Sequence, residues 1–67
     1  MQAELNSSLF DAAAYDEGAE RLRLFMKNGQ IREFETVPVQ VFQQLAGSRS
    51  PGQYYIENIR SKFPMFG

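Results

Sequence analysis

Apolar residues change their spacing along the chain, and the change marks out strands and then helices. Leu22, Leu24 and Met26 alternate with Arg21, Arg23 and Phe25. A period of two predicts a strand with one apolar face. Lys27-Asn28-Gly29 follows, a three-residue hairpin loop with Gly29 in the left-handed position. The next strand then runs from Gln30 to Glu35. That loop fixes the register. Phe25 faces Ile31, Arg23 faces Glu33 and Arg21 faces Glu35, while Leu24 meets Arg32 and Leu22 meets Phe34 on the other face. Two opposite-charge pairs and one apolar pair share a face, each worth about 0.2–1 kcal/mol. A slip of one residue sets Leu24 against Glu33 and scrambles both faces.

Upstream the pattern is less regular. Residues 1–6 read as a polar lead-in that frays. Ser8 to Tyr15 reads as a strand, although the run Ala12–Ala14 weakens it, because Ala is a poor strand former. Asp16-Glu17-Gly18-Ala19 reads as a turn, with Gly18 free to take positive φ.

Downstream the spacing turns helical. Thr36-Val37-Pro38 ends the sheet, and Pro38 suits the first turn of a helix. Val41, Phe42 and Leu45 give a short apolar stripe, and Gly47 is a natural stop. Ser50 is a candidate N-cap with Pro51 at the first helical position. Tyr55, Ile59 and Phe63 follow at four-residue spacing with Ile56 beside them, and Pro64 ends that helix. Residues 65–67 are expected to fray or to fold back on the core. The expected class is α+β: one domain over residues 1–67, built as a three-stranded antiparallel meander followed by two short helices packed on one face.

A chain of 67 residues has only a marginal core. Its hydrophobic fraction of 43% and aromatic fraction of 13% are those of a folding domain, not a disordered tail. Cys and His are both absent. That removes disulfide support, the usual zinc site, the Cys or Ser–His nucleophile pair and a histidine pH switch. No apolar run approaches the roughly 18 residues of a membrane span, and Met1–Phe10 lacks the basic start and apolar core of a signal peptide. The reading is a cytoplasmic protein with no membrane partner. The net charge of −1 averages two unlike parts. Residues 1–20 carry five acids and no base, whereas from Arg21 onward seven bases face three acids. Such asymmetry can steer a polyanion toward the later part of the chain, or can be ordinary scatter on a solvated surface.

The ordered set Ser7-Ser8, Tyr15-Asp16, Leu22-x-Leu24, Asn28-Gly29, Val37-Pro38 with Phe42 and Leu45, Ser50-x-Gly52-x-Tyr54-Tyr55 and Ile59-Arg60 resembles the KTSC domain family. That family is named from the C-terminal domain of some lysyl-tRNA synthetases and also occurs as stand-alone bacterial and phage proteins. Spacing is kept from Ser7 to Pro64. The chain departs from the family at two places. A Tyr-x-Tyr motif is replaced by Arg32-Glu33-Phe34, and the Asn after the aromatic pair is replaced by Ile56. The resemblance implies an RNA-binding role by association with a tRNA synthetase, with Tyr54, Tyr55 and Arg60 at positions of the family motif.

Catalysis has little to work with. Asp16 and Glu17 are neighbours in a turn and point apart, the other early acids are scattered, and no Gly-rich phosphate loop is present. No catalytic residue, metal or cofactor is expected, and the chain reads as a non-enzyme. A nucleic-acid site needs bases for phosphates and aromatics for stacking. Arg49, Arg60 and Lys62 lie in the helical part, and Tyr54 is off the apolar stripe. Gly52 opens the last helix, whose N–H groups can meet a phosphate. Arg32 either joins that patch or extends its head past the edge of the core. Tyr55 is otherwise core, and Arg60 otherwise pairs with Asp16 or Glu57. The expected function is a small non-catalytic module that binds RNA or a nucleotide-like anion through the last helix and its linker, with the net negative charge counting against it. The alternative is a homo-oligomer or protein-interaction module that uses Phe25 and Ile31 at the hairpin tip and Met65 and Phe66 in the tail.

Overall fold

The computed structural model describes residues 1–66, the side chain of Phe66 excepted. In chain order the elements are β1 (Gln2–Glu4), β2 (Phe10–Asp16), β3 (Arg21–Met26), β4 (Ile31–Phe34), α1 (Val39–Gly47), α2 (Pro51–Asn58) and β5 (Met65–Phe66). The strands form one antiparallel sheet in the order β1-β2-β3-β4-β5. The class is α+β with an antiparallel sheet and two helices, as expected. Four strands precede the helices, however, and not three.

The additional strand comes from the polar lead-in. Residues 2–4 pair with Ala12–Ala14, and Leu5 N–H donates to Asp11 O at 3.0 Å. Ala3 and Leu5 turn to the apolar side, where Leu5 is buried. Backbone bonds at the free edge of β2, together with that burial, hold a segment that composition marks as frayed. The tail is also organised, since β5 adds to β4 through Glu33↔Phe66 and Phe34↔Met65.

The β3–β4 hairpin has the expected register, with Leu22↔Phe34, Arg23↔Glu33, Leu24↔Arg32 and Phe25↔Ile31. Gly29 is left-handed at φ 88, and Asn28 Oδ1 accepts from Gln30 N–H at 3.0 Å. Arg23 and Glu33 approach to 3.5 Å and Arg21 and Glu35 to 3.9 Å, with partly exposed side chains. Such pairs add little and are screened by salt. The strand begins at Ile31 rather than Gln30, a shift of one residue at a frayed end.

β2 is less regular than its neighbours. Phe10 pairs with Met26, but Ala12 pairs with Phe25, so Asp11 is an extra residue in a bulge. The bulge turns both Phe10 and Ala13 to the core. It leaves Asp11 outside, where its Oδ1 lies 3.0 Å from Lys27 Nζ.

The turn after β2 corrects an expectation. Asp16 Oδ1 accepts from the N–H groups of Gly18 and Ala19. The left-handed residue is Glu20 at φ 52, not Gly18. Thr36 is also left-handed at φ 58. The two strained residues meet, because Val37 N–H donates to Glu20 O at 2.8 Å. That bond fixes the chain as it leaves β4 for α1.

α1 and α2 cover one face of the sheet. The core joins Phe10, Ala13, Tyr15, Leu22, Leu24, Met26 and Phe34 from the sheet to Val37, Phe42, Leu45, Tyr55 and Ile59. Tyr55 sits between Phe10 and Phe34, with ring centroids at 5.2 and 6.0 Å in edge-to-face geometry. Tyr15 stacks on Phe42 at 5.4 Å. Gly47 is the last residue of α1, and its φ is not in the left-handed range.

α2 ends at Asn58, not near Phe63. Asn58 Nδ2 donates to Tyr54 O at 3.2 Å, and the backbone leaves the helical path at the C-cap Ile59, whose N–H donates to Tyr55 O. Looser turns continue the path, with Arg60 N–H donating to Tyr55 O and Phe63 N–H to Ile59 O. Ile59 is therefore fully buried and Phe63 half-buried. Ile56 is 46% exposed rather than part of the stripe.

Candidate functional site

The start of α2 is seated by two residues. Pro51 holds the first helical φ and is buried. Gly52 lies against the β1–β2 loop, where a methyl group would meet Ser7 Oγ at 3.4 Å and Leu9 Cβ at 3.8 Å, ordinary contact distances. Two hydroxyl turns hold the flanking loops. Ser7 Oγ accepts from Leu9 N–H at 3.0 Å, and Ser48 Oγ accepts from Ser50 N–H at 3.1 Å. Ser50 occupies the N-cap position but makes no capping bond with its side chain.

Between loop and helix lies an open depression of ≈ 250 Å³, with Asn6, Ser7 and Ser8 on one side and Arg49, Ser50, Gly52 and Gln53 on the other. Its chemistry is that of a donor cup. Pro51 has no N–H, and Tyr54 N–H donates to Ser50 O at 3.0 Å. Among the described residues this leaves the N–H groups of Gly52 and Gln53 without a partner, as at most helix starts. Arg49 is exposed and forms no ion pair among the described residues. Gln53 Nε2 donates to Glu57 Oε2 at 3.0 Å, which keeps that carboxylate on the outer surface of α2. The volume is smaller than the roughly 300 Å³ at which drug-sized pockets begin. It suits a group of phosphate size better than a nucleoside.

The expected binding residues do not gather in one place. Arg49 and Gly52 line the depression. Arg60 and Lys62 follow the other end of α2, about 12 Å away along an eight-residue helix. Both are exposed, and neither pairs with Asp16, Glu57 or another acid among the described residues. Tyr54 is half-buried, and its hydroxyl donates to Gln44 Oε1 at 2.7 Å. Burial raises its pKa. It is a tie between α1 and α2, not a free stacking surface. Arg32 reaches over the core edge, where Nη1 donates to the Tyr55 hydroxyl at 3.3 Å. Asn6, Ser7 and Ser8 come from the far end of the chain. Spacing gives no sign of them, and the signal available was that Ser7-Ser8 opens the KTSC-like pattern.

Of the expected interface residues, Phe25 and Ile31 are on the opposite side, whereas Met65 pairs with the core residue Phe34 and so takes the helix-side face. Phe25 is half-buried and Ile31 is 55% exposed, both on the sheet face that no helix covers. Met65 is 53% exposed in β5. The side chain of Phe66 lies outside the described residues. Among the described residues no group of three or more Asp or Glu could hold a metal ion, and no helix is long and apolar enough to cross a membrane.

Comparison with known proteins places the chain in a family. Residues 6–63 match the KTSC domain. The crystal structure of a KTSC domain protein from Yersinia pestis superposes with a TM-score of 0.91 at 20% identity, covering 98% of this chain and 93% of that one. At that identity the likeness speaks for the fold. Among curated proteins none matches the chain. The family match spans most of the sequence and the fold agrees with that of a solved member, so the chain belongs to the KTSC domain family.

Proposed function

We propose that this protein is a small non-catalytic binding module that takes a phosphate group, carried by RNA or a nucleotide, in the depression at the start of α2. The observation that carries the reading is the convergence of the free N–H groups of Gly52 and Gln53 with Arg49 and the Ser7-Ser8 hydroxyls. Helix-start N–H groups and a guanidinium favour an oxyanion. RNA is suggested as the carrier of that phosphate by the name of the family alone, which the sequence resemblance connects with some lysyl-tRNA synthetases, an associational argument. With Tyr54 and Tyr55 both engaged elsewhere, recognition falls on the backbone of the nucleic acid and not on stacked bases. Arg60 and Lys62 act as a second, outlying contact for a longer strand.

Calorimetric titration with inorganic phosphate, a nucleoside monophosphate and single-stranded RNA tests this. Arg49→Ala should weaken all three, while Arg60→Ala with Lys62→Ala should weaken only the RNA. RNA affinity should fall with salt, with a slope of about −0.7 per phosphate contacted. Unchanged binding in the variant that lacks Arg49, Arg60 and Lys62 together would sink the proposal. A second reading, protein association, is favoured by the exposed Ile31 beside Phe25 on the uncovered sheet face.

A further inference from the structure

The uncovered sheet face is a grid whose columns are β1 to β4. At one end Asp16, Arg21 and Glu35 stand side by side. The middle row holds Gln2, Ala14, Arg23 and Glu33, and the far row holds Glu4, Ala12, Phe25 and Ile31. Ala12 and Ala14 are too small to fill their column. Two depressions of ≈ 380 and ≈ 320 Å³ therefore run end to end along β2, one beside Ala12 and Phe25 and the other beside Ala14, Arg21 and Arg23. The grid thus has a furrow along β2 and a ridge along β3 next to it.

We propose that this face pairs with the same face of a second copy of the chain, about a two-fold axis that runs along the strands between β2 and β3. That operator sets β2 of each copy over β3 of the other. Phe25 then enters the furrow over the partner's Ala12, and Arg23 lies over the partner's Ala14. Arg21 meets the partner's Asp16, and each contact occurs twice, as an isologous interface requires. The fit is between large and small and between base and acid at once. The same operator sets β1 over the partner's β4, so that the stem of Glu4 covers the partner's Ile31 with its carboxylate outward, and Glu33 and Glu35 stay at the polar rim.

Area and stability point the same way. One side of a body measuring 27 × 22 × 22 Å projects to roughly 500–600 Å². Set against the about 800 Å² per partner of a standard interface, this is the size of a weak, concentration-dependent pair. A domain this small gains from association, since its own core is limited. The inference gives the protein-association reading its partner and its geometry. It shares no residue with the phosphate depression.

Sedimentation equilibrium of the whole chain between about 10 and 500 µM reads the outcome as a Kd for pairing. Wild type should shift from one chain mass toward two. Phe25→Ala, at a half-buried position outside the core cluster, should weaken pairing about tenfold or more. Ala12→Phe, which fills the furrow, should do the same. Ala12→Phe combined with Phe25→Ala should restore pairing, because knob and hole have changed places. Urea unfolding of each variant reports whether the chain still folds. Absence of any dimer across the range overturns this inference and self-association by any surface. A dimer that forms equally well in all three variants overturns only this geometry and leaves association to another surface.

Discussion

The phenol of Tyr15 donates to the carbonyl of Val37, and this bond joins the middle of the sheet to the entry of α1. Both residues are buried. Tyr15→Phe keeps the ring and its stacking on Phe42 but leaves the Val37 carbonyl unpaired. An unsatisfied buried acceptor costs about 1–3 kcal/mol. Urea unfolding should show a loss in that range with an unchanged slope.

The same phenol makes stability depend on alkaline pH. Burial first, and then the carboxylates Glu20, Glu17 and Asp16, raise the Tyr15 pKa above its ordinary value. Burial raises that of Tyr54 as well. The folded state therefore holds these protons more tightly than the unfolded chain does. Below the unfolded value of about 10 both states are protonated and the contribution is complete. As pH rises from there through the folded values, only the unfolded chain releases its protons, so stability falls. The limiting slope is about 1.4 kcal/mol per pH unit for each such group. Unfolding free energy measured from pH 8 to 11.5 should be flat and then drop, and Tyr15→Phe should drop less steeply than wild type.

Thr36 is a β-branched residue at positive φ, a conformation that costs an L-residue about 1–2 kcal/mol. It is exposed, so its side chain has little packing to lose. Thr36→Gly removes the strain but adds unfolded-state entropy of about 0.4–1 kcal/mol. The net expectation is a gain between about 0 and 1.6 kcal/mol. A gain in thermal midpoint would show that the left-handed turn is strained; a clear loss would show that Thr36 contributes something its exposure does not suggest.

Much of this fold is legible in the chain because several local signals agree. Gly29, the alternation of Leu22 and Leu24, and the charges at 21, 23, 33 and 35 all specify one register. The parts that could not be read are those where a signal is missing or opposed. β1 does alternate, with Ala3 and Leu5 between Gln2, Glu4 and Asn6, but three residues with one small apolar side chain are a weak signal, and the strand is held because β2 offers an open edge. The bulge at Asp11 changes the phase of β2, so Phe10 and Ala13 share a face although an odd number of steps separates them. Gly18 was the natural candidate for positive φ, yet the carbonyl that Val37 requires belongs to Glu20. In the candidate site, the capping segment at Ser50–Gly52 is written in its composition. Its union with Asn6, Ser7 and Ser8 depends on β1, and so could not be seen until β1 was.

The end of α2 offers a direct measure of that difference. A helix continued to Phe63 gives Ile56 and Ile59 similar places along one stripe. In the folded chain the helix ends at Asn58 with Ile59 as its C-cap, and the two isoleucines separate, Ile59 to 0% exposure and Ile56 to 46%. Ile59→Ala should therefore cost about 2–5 kcal/mol, the range for deleting a buried Ile side chain without full collapse of the cavity. Ile56→Ala should fall within about 0.5 kcal/mol of wild type, because Ala loses little packing there and favours the helix. Asn58→Ala removes the side-chain bond to Tyr54 O and should cost about 0.5–1.5 kcal/mol. Equal losses for the two isoleucine variants in denaturant unfolding would mean that both side chains are buried and that α2 runs on past Asn58.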